Sequence, residues 1–140
     1  MSDGKPSRFS LPVSSRRSID SSAFLEGIRQ FNSWRFYECH ETLEDLWLAE
    51  QTELSAFYQG IIKLAAGFHH LLRSNQRGAL LLWEGGLRLL EPFRPLCLGV
   101  DVDKLLKETR RCYEAVEALG PERIHEFDRS LIPAIVLQEE

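Results

Sequence analysis

From residue 20 onward, apolar residues recur every three to four positions and never alternate with polar ones long enough to suggest a strand. Asp20 or Ser21 can cap a first helix whose apolar face holds Phe24, Leu25, Ile28 and Phe31. Asn32-Ser33 reads as a break, and a second helix follows over about residues 34–48. A third helix is predicted over about residues 54–72, and Ser74-Asn75 breaks the chain again. A fourth helix runs over about residues 77–90, stopped by Pro92 and Pro95. Gly99 closes a loop, and Asp101 can cap a fifth helix to Leu119, with Val102, Leu105, Leu106, Thr109, Cys112, Tyr113, Val116 and Leu119 in one stripe. Gly120 ends that helix, and Pro121 fits the first position of a short last helix through Phe127. The apolar tail, Leu131 to Leu137, is expected to lie on the bundle.

The third helix decides the architecture. From Phe57 to Leu72 apolar residues surround almost the whole helix, as in a helix buried on most sides. Gly60, Ala65, Ala66 and Gly67 let neighbours approach closely. Gly85-Gly86 in the fourth helix invite the same reading, since each glycine costs about 1 kcal/mol relative to alanine unless packing offsets it. The expected fold class is all-α, a single-domain multihelical bundle of about five to six helices around the central helix at residues 54–72. Two helix–break–helix units resemble a tetratricopeptide hairpin in outline, but their spacing of roughly 40 residues misses that repeat's period.

Composition narrows the function classes. The chain has 140 residues, with 17 Lys plus Arg against 21 Asp plus Glu, for a formal charge of −4. That acidic balance disfavours a nucleic-acid-binding domain, and no apolar run reaches the ~18 residues of a membrane span. Cys39, Cys97 and Cys112 are odd in number and form no CxxC pair, which fits buried thiols in a reducing, cytoplasmic setting. Residues 1–19 differ in composition: six serines and four basic residues (Lys5, Arg8, Arg16, Arg17) accompany one acid, Asp3. They read as a mobile Ser/Arg-rich arm preceding a bundle domain at residues 20–140.

The candidate chemistry lies on the second and third helices. At about 100° per residue, Phe36, His40, Leu43 and Trp47 share one narrow arc, with Glu44 at its edge and Tyr37 and Glu41 flanking it. Ser55, Gln59, Lys63, Ala66 and His70 form the one polar stripe of the third helix. Antiparallel packing of the two helices would turn this stripe toward His40 and Glu44, and buried polar groups need partners. Three readings stand. A metal could be held by His40, Glu44 and His70, with Glu41 placed as in a zinc protease, although Glu44 replaces the second histidine of that motif and Lys63 would repel a cation. His40 beside glutamates could serve acid–base chemistry without a metal, although no nucleophile stands with it and Cys39 points about 100° away. A structural His–Glu–Gln–Lys network could fix helix register. Trp34, Trp47 and Trp83 read as core or interface anchors, His69 as a packing residue, His125 as exposed, and Arg110-Arg111 as a solvated face. The run Ala79-Leu80-Leu81-Leu82-Trp83 is wide enough to bury a homodimer contact.

Phe31-Asn32, Phe36-Tyr37-Glu38-Cys39-His40-Glu41, Leu43-Glu44 and Trp47 resemble the opening motif of the family called domain of unknown function 309. The resemblance continues through Phe57-Tyr58-Gln59-Gly60, Leu64-Ala65-Ala66, His70, Asn75, Gly78-Ala79, Gly86-Leu87, Pro92, Pro95 and Gly99-Val100-Asp101-Val102, over about residues 20–106. It implies a small multihelical bundle with a buried central helix, similar in fold class to a helical domain of some bacterial hyaluronidases. It implies no activity. The family's signature residues map onto His40, Glu41, Glu44, Tyr58, Gln59 and His70. Cys39 stands where a small residue such as alanine is common, and Lys63 where a neutral polar residue such as glutamine is expected.

The function expected from the sequence is a non-enzymatic binding or scaffold module without a cofactor. Its pocket would be lined by Tyr37, His40, Glu44, Tyr58, Gln59 and His70, and its partner would be a protein or a small molecule. The alternative is a metal-dependent hydrolase with a divalent metal such as zinc on His40, Glu44 and His70 and with Glu41 as catalytic base.

Overall fold

The computed structural model describes residues 13–138, with side chains from residue 22 onward. Five α-helices carry these residues: α1 (Val13–Asn32), α2 (Phe36–Ala49), α3 (Leu54–Leu72), α4 (Gln76–Leu90) and α5 (Val102–Leu119). Residues 1–12 of the expected arm lie outside the described residues, and α1 begins before the cap expected at Asp20 or Ser21. No proline follows Pro12 within that stretch, and residues 13–19 contain no glycine, so nothing local stops the helix from starting there. All the helices are in the expected order, and α3 has the expected bounds.

The core is organised around α3. Phe57, Ile61, Leu64, Ala65 and Phe68 are fully buried, and Tyr58, Ile62 and Leu71 nearly so. α1 covers one side through Phe24, whose ring lies 6.2 Å from Phe57 and 6.0 Å from Tyr58, and through Phe31, 5.8 Å from Phe68. α2 adds Phe36, stacked 5.4 Å from Phe68. α4 closes the far side with the stripe Ala79, Trp83, Gly86 and Leu90, and Trp83 meets Phe68 at 4.8 Å. A β-carbon on Gly86 would lie 2.6 Å from Leu64 Cδ2 and 2.9 Å from the Gly60 carbonyl oxygen, so α3 and α4 approach backbone to side chain at this point. On α1, Leu25 is 40% exposed, so the face expected there narrows to Phe24, Ile28 and Phe31.

Two helices, α4 and α5, start at side-chain caps. Asn75 Oδ1 accepts from the Gly78 N–H at 2.9 Å, and Asp101 Oδ1 accepts from the Lys104 N–H at 3.0 Å. Both short breaks use a left-handed residue that is not glycine, Trp34 (φ 62°) and Ser74 (φ 60°). Between α4 and α5 the chain forms a two-residue hairpin of β1 (Leu96–Cys97) and β2 (Val100–Asp101), which the absence of alternation did not predict. Its turn, Leu98-Gly99, has φ 50° and 81°, the double positive φ that suits a tight hairpin. The last helix expected from Pro121 to Phe127 is only a single 3₁₀ turn, Ile124–Glu126. Three residues from Pro121 to Arg123 pass as turn, too few remaining for an α-helix with internal bonds.

The tail lies on the bundle, as its apolar character predicts. The Ile135 N–H donates to Asn32 Oδ1 at 2.7 Å, Asn32 Nδ2 donates to the Ile135 carbonyl at 3.0 Å, and the Asp101 N–H donates to the Val136 carbonyl at 2.9 Å. Ile132 and Ile135 are buried beneath this strap. Among the described residues no helix is long and apolar enough to cross a membrane.

Candidate functional site

The buried face of α2 is rotated from the arc read in the sequence. Phe36, Cys39, Leu43 and Leu46 point into the core, whereas His40 and Trp47 are half-buried at its edge. The reason is α1. Gly27 carries no side chain where Leu43 enters, since a β-carbon there would lie 2.6 Å from Leu43 Cδ2. Leu43 therefore seats deeply, and Cys39 and Leu46 follow it between α1 and α3. Burial pushes the Cys39 thiol up to about 12, so it is a packing group and not a nucleophile. Cys112 is pushed up to about 12 by the same desolvation.

This rotation leaves His40 and Glu44 on the rim of a pocket of about 270 Å³ between α2, α3 and α4. Its lining is His40, Glu44 and Trp47 from α2, Gln59, Ile62, Lys63 and Ala66 from α3, and Leu82 from α4. The polar stripe of α3 therefore does turn toward His40 and Glu44. The mutual network expected of these residues is not formed: among the described residues no hydrogen bond or ion pair links His40, Glu44, Gln59 and Lys63. They sit in a half-exposed concavity, where water can serve them, so the physical need to pair is absent.

Other expected site residues lie elsewhere. His70 is part of the α3–α4 turn, with its Nδ1 3.0 Å from Asn75 Nδ2. Tyr58 is 3% exposed on the opposite side of α3, against Phe24 and Phe57. Tyr37 is 54% exposed, and Glu41 is exposed outside the pocket. His40, Glu44 and His70 do not come together, and among the described residues no group of three or more His, Cys, Asp and Glu could hold a metal ion. His70 lies about one turn beyond Ala66 and three turns beyond Gln59, a spread along the helix that a stripe on a wheel does not reveal.

The exposed end of the site is aromatic and imidazole-rich. The Tyr37 ring lies 6.2 Å from His40 and 5.9 Å from His69, and His69 lies 5.8 Å from His70. Desolvation, and then the charges of His70, Arg73 and His40, hold His69 below its ordinary value of 6.5, with Glu38 opposing. The folded protein therefore binds a proton at His69 less readily than the unfolded chain does. The stability that follows is complete above about pH 6.5 and is lost as the pH falls toward the folded value. His69→Gln is expected to flatten the decline in urea midpoint between about pH 7 and pH 5.5, relative to the parent protein. An unchanged slope would remove His69 as its source.

The sequence did not single out Ile62 or Leu82 as site residues. Ile62 lies three residues from Gln59, so helical spacing could have found it. Leu82 had no local signal, because its direction follows from the α3–α4 contact at Gly86. Gln59 also belongs to a shallower concavity of about 620 Å³ with Ser55, Ala56, Arg88, Leu89 and Phe93 among its walls. A wider concavity of about 1140 Å³ runs along α5. There Arg94 pairs with Asp103 and Glu91, Arg110 with Glu91, and Lys104 with Glu108. Those charges are mutually satisfied and exposed, so they define a solvated face.

The fold and site together define a small multihelical bundle with an amphipathic pocket beside its central helix. Residues 24–82 match the family model described as Domain of unknown function (DUF309). The match spans α2, α3 and parts of α1 and α4, and so includes every residue lining the pocket. The chain is also 30% identical over 102 residues to the uncharacterized protein YpuF of Bacillus subtilis (strain 168). That similarity covers 70% of this chain and 59% of YpuF, so the chain spans less than two thirds of that relative's length.

Proposed function

We propose that the protein is a non-enzymatic binding module that takes a small ligand between α2, α3 and α4. One observation carries this reading. His40, Glu44, Gln59 and Lys63 present polar groups to a pocket walled by Trp47, Ile62, Ala66 and Leu82, and no described residue satisfies them. A few convergent polar groups over apolar walls are the usual make-up of a ligand site. Glu41 stands outside the pocket and His70 at another turn, so the binding reading is favoured over metal-dependent hydrolysis. Buried, unpaired Cys39 and Cys112 support a reducing, cytoplasmic setting. The homodimer contact expected of α4 rests on Leu81, which is 57% exposed.

The test is a thermal-shift screen of small polar and amphipathic molecules against the parent protein and Ala66→Phe, whose ring would fill the pocket. Saturable shifts in the parent, lost in the variant while its own melting temperature holds, are expected. Hits that stabilise both proteins equally would overturn the assignment to this pocket.

A further inference from the structure

The walls of this pocket carry one charge of each sign, and the two are kept apart. Glu44 stands on α2. Lys63 starts on α3 but reaches across to α4, where its stem lies over Gly85. A β-carbon there would be 3.2 Å from Lys63 Cδ and 3.9 Å from its Nζ. The missing side chain at Gly85 is what lets the ammonium rest against the α4 wall. Among the described residues Glu44 and Lys63 make no ion pair with each other or with any other group. The same pocket is also lined by the apolar surfaces of Trp47, Ile62 and Leu82.

A ligand entering this space strips water from both charges. An anion alone would leave Glu44 desolvated and opposed, a cation alone would do the same to Lys63, and a neutral molecule would leave both unpaired. Only a ligand carrying both signs satisfies both walls. The volume of about 270 Å³ is smaller than pockets that take drug-sized molecules, which start at about 300 Å³. We propose that the pocket binds a free α-amino acid with an apolar side chain. Its carboxylate would meet Lys63, its ammonium would meet Glu44, and its side chain would lie on Trp47, Ile62 and Leu82. Gln59, neutral and on the same lining, can bond either end.

This proposal rests on the binding reading above, and the experiment separates the two. Titration calorimetry on the full chain would use L-leucine, L-methionine and L-phenylalanine, with N-acetyl-L-leucine and L-leucinamide as end-blocked probes. At least one free amino acid is expected to bind saturably, and blocking either end is expected to weaken binding by about ten-fold or more. Lys63→Gln should erase the discrimination against L-leucinamide, and Glu44→Gln the discrimination against N-acetyl-L-leucine. Each variant should keep the parent's melting temperature, since neither residue is bonded to another described residue. Equal affinity for free and blocked forms, or no saturable binding by any of the three amino acids, would overturn it. In that second case, library ligands still lost in Ala66→Phe would leave the binding module standing with a different ligand, and their absence would remove both.

Discussion

Trp83→Ala is expected to lower the unfolding free energy by about 3–5 kcal/mol, the range for deleting a large aromatic from a core. Trp83 is fully buried, and it is the one residue of α4 whose ring reaches Phe68 across α3. It also fills the gap over Gly67, where a β-carbon would lie 2.4 Å from Trp83 Cδ1. Removing the indole leaves a space that the small Gly67 and Ala79 cannot close. Trp83→Phe should cost far less, about 1–2 kcal/mol, for two reasons. The six-membered ring keeps the contact with Phe68. The lost indole N–H is buried without a partner among the described residues, so its deletion removes a desolvated donor. Urea unfolding followed by circular dichroism gives both values, with an unchanged m-value showing that the shift in midpoint is a change in stability. A Trp83→Phe loss as large as that of Trp83→Ala would mean that the N–H has a partner after all.

The adjacent glycines of α4 should respond with opposite signs. Gly86→Ala meets Leu64 Cδ2 at 2.6 Å and the Gly60 carbonyl oxygen at 2.9 Å, and the second obstacle is backbone. The helices must separate, which costs about 1–3 kcal/mol and outweighs the gain of up to ~1 kcal/mol in helix propensity. Gly85→Ala meets only the stem of Lys63, a half-exposed and flexible side chain that can move aside. Its propensity gain should survive, so Gly85→Ala is expected to stabilise by about 0.5–1 kcal/mol. The gap between the two variants, about 1–3 kcal/mol, is the sharpest check of the α3–α4 contact. Two variants of equal stability would show that the register is different. Gly85→Ala should also push the Lys63 ammonium off the α4 wall and weaken any ligand held there.

The helical plan was legible because it is written in local terms. α3 could be bounded from its apolar run and the Ser74-Asn75 break, and α5 from the Asp101 cap, whose side chain does accept the Lys104 N–H. Less was legible at the site. The polar stripe of α3 turns toward α2 as its spacing implies, and His40, Glu44 and Gln59 do meet there. The rotation of α2 was not readable, because a wheel gives relative directions and the absolute one depends on which neighbour packs hardest. Leu43 dropping over Gly27 made that choice and carried Cys39 into the core. His70 and Tyr58 left the site for related reasons. His70 shares the stripe but sits one turn beyond Ala66, where it meets Asn75 in the α3–α4 turn, and Tyr58 points to α1, on the far side of α3.

By itself the sequence determined the all-α class, the order of the helices, the burial of α3 and the family resemblance of residues 24–82, since each depends on periodicity, caps and motifs within a few residues. The tertiary structure alone decided which face of α2 is buried, which of two neighbouring glycines is a contact, and that Glu44 and Lys63 face one pocket without pairing. Those outcomes depend on the close approach of helices far apart in the chain. Such an approach is set by the shape of both surfaces together, and neither helix carries it alone.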